Sequence, residues 1–131
     1  MINNLEINNL KIRDLIYDDI LEIFEWRNNY ETRIMSINRE KISFSNHQKW
    51  FYKTIKSDFI KIFIGTISQH KIGITKFDFN KLNGNCEVSI NLNPKMRGMN
   101  FSTTFLSSSI DKYLISNKSQ KLNAKIRKEN K

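Results

Sequence analysis

The stretch Asn91-Leu-Asn-Pro-Lys-Met-Arg-Gly-Met-Asn-Phe-Ser102 carries the residue types of an anion cradle. A turn holding Arg97 and Gly98 opens onto a helix. The first backbone N–H groups of a helix lack intrahelical partners and sit at the positive end of its dipole, so they suit a phosphate. The amides of Gly98, Met99, Asn100, Phe101 and Ser102 are the candidates, with Arg97 adding charge beside them. Glycine permits positive φ and close approach. Asn100 is the next most tolerant of positive φ, and Ser102 can cap with its hydroxyl. Such cradles usually carry two or three glycines, so a second reading stays open: an ordinary turn after a strand.

The elements that must position this loop follow from periodicity. Leu10–Ile16 alternates apolar and charged residues and predicts a first strand. Asp18 then caps a helix in which Ile20, Ile23, Phe24 and Arg27 share helical spacing. The segment Glu31-Thr-Arg-Ile-Met-Ser-Ile37 suits a short second helix. A Ser45 cap opens another, with His47, Trp50, Phe51 and Ile55 on neighbouring faces. Lys61–Ser68 and Lys71–Asn80 are rich in β-branched and aromatic residues and predict a hairpin turning at Gln69-His70. Cys86–Asn93 is the next strand, Phe101–Ser116 a helix weakened by serine and threonine, and Lys121–Asn130 a final strand. The expected fold class is α/β: a mixed, mostly antiparallel central sheet flanked by helices. The last strand–helix–strand unit should be a parallel crossover.

The totals bound the answer. The 131 residues suit a single domain, 1–131, and 39% hydrophobic content excludes wholesale disorder. No apolar run is long enough to span a membrane, and the first residues lack the pattern of a signal peptide. A lone Cys86 cannot staple the fold, and no Cys/His cluster has metal-ligand spacing, so no metal is expected and the expected location is cytoplasmic. The net charge of +9 comes with many scattered lysines and one local concentration, Lys118, Lys121, Lys125, Arg127, Lys128 and Lys131. A basic surface attracts polyanions, but no nucleic-acid motif accompanies it, so nucleic acid is ranked low as a partner.

This element order, with its Arg-Gly turn, resembles the GNAT superfamily of acyl-CoA N-acyltransferases. Their signature is Gln/Arg-x-x-Gly-x-Gly/Ala at a helix start. Arg97 takes its first position, Asn100 its first glycine and Ser102 its Gly/Ala position, while Gly98 and Pro94 match common neighbours. A second likeness lies in Trp26-Arg-Asn28, Met35 and His47-x-x-Trp-Phe51. These are similar to GNATs that acetylate amino-sugar nucleotides in bacterial surface-glycan (pseudaminic acid type) synthesis. The likeness runs from about Leu10 to the end of the chain.

The resemblance implies an N-acetyltransferase using acetyl-CoA (coenzyme A) as donor and an amino-sugar nucleotide as acceptor. A protein N-terminus is the alternative acceptor, and an inactive remnant acting as a binding module is a further alternative. The pyrophosphate would lie on Arg97 to Ser102 and the pantetheine arm along Ile90, Asn91 and Leu92. Glu87, the only acidic residue of its strand, would be the base, or else a solvated surface group. Arg27, Asn28, Met35 and His47 would line the acceptor pocket; taken singly, each is equally a helix-surface or structural residue. Cys86 would face the core. In the family a further helix, bearing a tyrosine acid, and two more strands follow an Asn that Asn130 resembles, so the chain is expected to be C-terminally short. The exposed edge of the last strand would then favour a homo-oligomer.

Overall fold

Five strands, built where β-branched residues alternate, form one sheet in the order β1-β2-β3-β4-β5. They are β1 (Leu10–Asp14), β2 (Ile60–Ile67), β3 (His70–Asn80), β4 (Asn85–Leu92) and β5 (Lys121–Lys125). Among the described residues the continuous α-helices are α1 (Ile20–Asn28), α2 (Phe44–Ile55) and α3 (Ser102–Ser116). The computed structural model describes residues 7–29, 32, 34, 40–117 and 120–125. Strands β1 to β4 pair antiparallel, and β5 pairs parallel to β4 from Asn85↔Lys121 to Ser89↔Lys125. The expected class and crossover are therefore present. The segment 31–37, expected to be helical, and residues 126–130 of the expected last strand lie largely outside the described residues.

Local chemistry shifts several boundaries. The β2–β3 hairpin turns at Ser68-Gln69, not Gln69-His70, and both residues take positive φ (49° and 70°). Two left-handed residues match the twist of the flanking strands, which is why this turn closes without glycine. Ser43, rather than Ser45, caps α2 by accepting from the Asn46 amide at 3.1 Å. Asp18 lies in a 3₁₀ turn, Tyr17–Asp19, and the residue at the start of α1 is Asp19.

Asp19 does more than open a helix. Its carboxylate is 1% exposed and accepts two 2.9 Å hydrogen bonds from the Arg13 guanidinium of β1. It also accepts from the Ile16 amide and from Lys71 Nζ of β3, each at 2.9 Å. Lys71 donates in addition to Glu22 of α1. A buried charge persists only when paired and hydrogen-bonded, so this set locks the start of α1 to two strands.

Two apolar clusters lie on opposite faces of the sheet. One joins Ile23, Trp26 and Phe51 of α1 and α2 to Ile62, Ile64 and Ile74. The other joins Phe105, Leu106 and Tyr113 of α3 to Phe63, Phe77, Val88 and Leu92. Cys86 is fully buried in the second, as expected of a small core residue. Its thiol donates to Tyr113 Oη, whose ring stacks on Phe77 at 4.2 Å. Burial of apolar surface against that one face of the sheet, not helix propensity, holds the serine-rich α3 in place.

Two consequences are measurable. A Cβ on Gly65 would sit 2.6 Å from Phe105 Cε1, and the fully buried ring has no room to retreat. Gly65→Ala should therefore cost about 1–3 kcal/mol in urea unfolding; an unchanged midpoint would refute the contact. For Asp19, burial raises the pKa, but the bonds from Arg13, Ile16 and Lys71 outweigh it and hold the carboxyl down at about 2. A depressed pKa stabilises above the unfolded value and is lost as pH falls through the folded one. Wild type should accordingly lose about 2 kcal/mol between pH 4 and 2 through this group. Asp19→Asn should lack that component of the acid limb and be less stable at pH 7.

Candidate active site

The loop after β4 is built in steps. Asn93 anchors it: its Nδ2 donates to the Lys71 carbonyl at 2.9 Å, and its Oδ1 accepts from the Lys95 amide at 3.1 Å. Pro94–Met96 forms one 3₁₀ turn, begun by the residue whose fixed φ suits that position, and Met96 plugs into the core. Gly98 (φ 80°) and Asn100 (φ 61°) then both adopt the left-handed region. The position where the GNAT signature has glycine is thus filled by asparagine in a glycine-like conformation. Phe101 and Ser102 are buried, pinning the loop to the start of α3.

Phe101 occupies the α3 cap position, and no side-chain cap hydrogen bond is present there. Ser102 is the first helical residue, so the expected hydroxyl cap is not formed. The first-turn amides therefore lie at a helix start without a side-chain cap, behind a loop with two left-handed residues. A Cβ on Gly98 would meet nothing within 4 Å, so the space before the loop is open and glycine serves φ alone. The Arg97 side chain reaches back into the protein. Its Nη2 donates to Thr32 Oγ1 at 2.8 Å and lies 3.3 Å from Asn91 Oδ1 and 3.4 Å from the Leu92 carbonyl.

The residues expected in an acceptor pocket are engaged inside the protein. His47 is 0% exposed; its Nε2–H donates to the Ile20 carbonyl at 2.8 Å, and its Nδ1 accepts from Arg27 Nη1 at 3.0 Å. Those partners select the neutral Nε2–H tautomer. Burial lowers the ring's pKa and the Arg27 charge lowers it further, against the opposing bond to Ile20. The Arg27 guanidinium also stacks 4.3 Å from the Trp50 ring. Asn28 exchanges two 2.7 Å hydrogen bonds with the backbone of Ile42, clasping the approach to α2. Trp26 is core. Met35 lies outside the described residues.

A different set forms a cleft beside the loop. Glu22, Glu25, Trp26 and Asn29 of the α1 side face Asn93 and Lys95 across about 270 Å³. Sequence reasoning passed over Glu22 and Glu25, although their i, i+3 spacing places both on one helix face. Asn29 and Asn93 carried no comparable signal, because only the tertiary fold brings them together. On β4, Glu87 is exposed on the same face as Ser89 and Asn91, opposite Asp78 on β3 and Asn123 on β5. Four residue steps of strand separate it from Asn91, about 13 Å. His70 is exposed at the start of β3. Among the described residues no group of acidic, histidine or cysteine side chains could hold a metal, and no helix is long and apolar enough to cross a membrane.

No family model and no curated protein matches the chain. Solved structures do. A spermidine N-acetyltransferase from Vibrio cholerae, in complex with CoA and spermine, superposes with a TM-score of 0.72 at 20% identity, covering 83% of this chain and 66% of that one. A spermidine N-acetyltransferase SpeG chimera from Vibrio cholerae and hSSAT gives 0.70 at 19% identity, with 82% and 64% covered. A spermidine/spermine N-acetyltransferase SpeG structure from the same organism, with manganese ions, gives 0.66 at 22%, with 84% and 64% covered. The chain thus spans slightly less than two thirds of the length of these proteins. What the likeness shows is the fold: a GNAT-type sheet with its helices.

Proposed function

We propose that the chain is an acyl-CoA-dependent N-acetyltransferase that moves an acetyl group from acetyl-CoA to the primary amine of a small molecule. The observation that carries this reading is the left-handed pair Gly98 and Asn100 delivering an open loop onto the α3 start. Backbone amides from Gly98 to Ser102 would receive the pyrophosphate, where the helix dipole favours negative charge. Ile90, Asn91 and Leu92 would flank the pantetheine arm. Acetyl-CoA would supply a thioester, which a neutral amine would attack directly once the two are oriented; the C–N bond forms, the C–S bond breaks, and coenzyme A leaves as a thiolate that takes up a proton. Glu87, about 20 Å of extended chain from Asn93 on the cleft wall, would accept the amine's proton as general base, directly or through water, from an acceptor that extends along β4 toward it.

The acceptor is best matched to the cleft on α1. Glu22 and Glu25 line it opposite Lys95; Glu22 is already paired with Lys71, so Glu25 is the carboxylate that would attract a small amine that is protonated in solution. The V. cholerae structure holds spermine, which makes a polyamine the first compound to try. The amino-sugar nucleotide implied by Trp26-Arg-Asn28 and His47-x-x-Trp-Phe51 stands second, because Arg27, Asn28 and His47 bond within the protein. A protein N-terminus ranks after both.

Coenzyme A at 100 times its dissociation constant should stabilise the protein by about 2.7 kcal/mol in thermal unfolding. Asn100→Gly should keep that shift, since glycine accepts the same φ, whereas Asn100→Val should lose it. Absence of a shift in wild type would sink the cofactor reading. Turnover of acetyl-CoA should then be faster with spermine than with amino-sugar nucleotides, and the reverse order would reinstate the sugar. Glu87→Gln should lower kcat about 100-fold while sparing KM for acetyl-CoA. Full activity in that variant would remove Glu87 as base, and cofactor binding without turnover would mark a binding module.

A further inference from the structure

We propose that Arg97 is a positioning residue, a strut that sets the cofactor loop against the end of α1, and not a ligand of the cofactor's phosphates. The inference rests on the reading of the loop given above. Arg97 belongs to the loop by its backbone, one residue before left-handed Gly98. Its side chain turns back across the end of β4, where Nη2 meets Asn91 Oδ1 and the Leu92 carbonyl, and reaches Thr32, 65 positions earlier in the chain. Thr32 is buried, and its own amide donates to Asn29 Oδ1 at 3.2 Å. Asn29 lines the cleft.

A continuous line of hydrogen bonds therefore runs from Asn29 through Thr32 and Arg97 to Asn91. It joins the two elements between which donor and acceptor must meet: the end of α1 and the end of β4. A guanidinium suits this duty because it is planar, always charged and donates along fixed directions, whereas lysine would offer one mobile point. The strut holds the Asn91 side chain on the face it shares with Ser89 and Glu87. Phosphate binding is left to the backbone amides of the loop, which require no side chain.

Coenzyme A is the probe, titrated by calorimetry into wild type, Thr32→Val, Thr32→Ser, Arg97→Met and the Thr32→Val/Arg97→Met double variant, with thermal unfolding recorded for each. Thr32→Val should weaken coenzyme A about fivefold through loss of the shared bond, and Arg97→Met by at least as much, since it also loses the contacts to Asn91 and Leu92. The double variant should bind no more weakly than Arg97→Met, because both substitutions cut the same strut. Thr32→Ser keeps the hydroxyl and should bind as wild type. Weakening by Arg97→Met alone would make Arg97 a phosphate ligand and overturn the proposal, as would additive losses, or variants that lose stability yet bind normally. Should a valine variant fail to fold, Arg97→Lys replaces it in the comparison with Thr32→Ser: near wild-type binding by the lysine variant would overturn the strut. A wild type that does not bind coenzyme A at all would instead refute the functional reading.

Discussion

The buried carboxylate of Asp19 is the constraint from which the rest of the arrangement follows. An isolated charge in a core is too costly to persist, so it gathers every donor within reach: Arg13 from β1, the Ile16 amide from the turn, and Lys71 from β3. Satisfying that one group fixes where α1 starts, and hence which way its face points. Lys71 passes the constraint on, since its ammonium reaches Glu22 while its carbonyl accepts from Asn93. The position of the cleft between α1 and the loop is therefore an indirect product of neutralising one buried charge.

The other face of the sheet works by packing. Phe105 lies against Gly65, and Tyr113 stacks on Phe77, so α3 is seated by shape and apolar area despite a run of serines that disfavours helix. The seating matters because the first turn of α3 is also the end of the loop. Phe101 and Ser102, both buried, tie the left-handed residues before them to the core. A conformation that would cost an isolated asparagine some energy is thus sustained by the packing around it.

Charged and polar groups close to the loop divide into two kinds. Arg27, His47 and Asn28 spend their hydrogen bonds joining α1 to α2, and Arg97 joins the loop to Thr32. Their residue types suggested ligand contacts, yet in each case a partner inside the protein is already at bonding distance. Glu25 by contrast faces a cleft, whose wall Asn29 and Asn93 share while bonding to the Thr32 amide and the Lys71 carbonyl. Which group a polar side chain joins depends on what the fold sets opposite it, which its type and spacing do not encode.

Much was legible in the residues themselves. Alternation and helical spacing predicted the strands, the meander and the crossover, because burial on one face imposes a period that survives in the sequence. The tolerance of asparagine for positive φ also made Asn100 readable in place of a glycine, a property of the residue alone. Boundaries were less legible: Ser43 rather than Ser45, and Ser68-Gln69 rather than Gln69-His70, since neighbouring candidates differ by less energy than tertiary contacts supply. What only the tertiary structure decided was the meeting of distant groups. Asp19 with Lys71, Thr32 with Arg97, and the α1 glutamates with Asn93 are brought together by chain-distant packing, and no local pattern in the sequence records the distance between them.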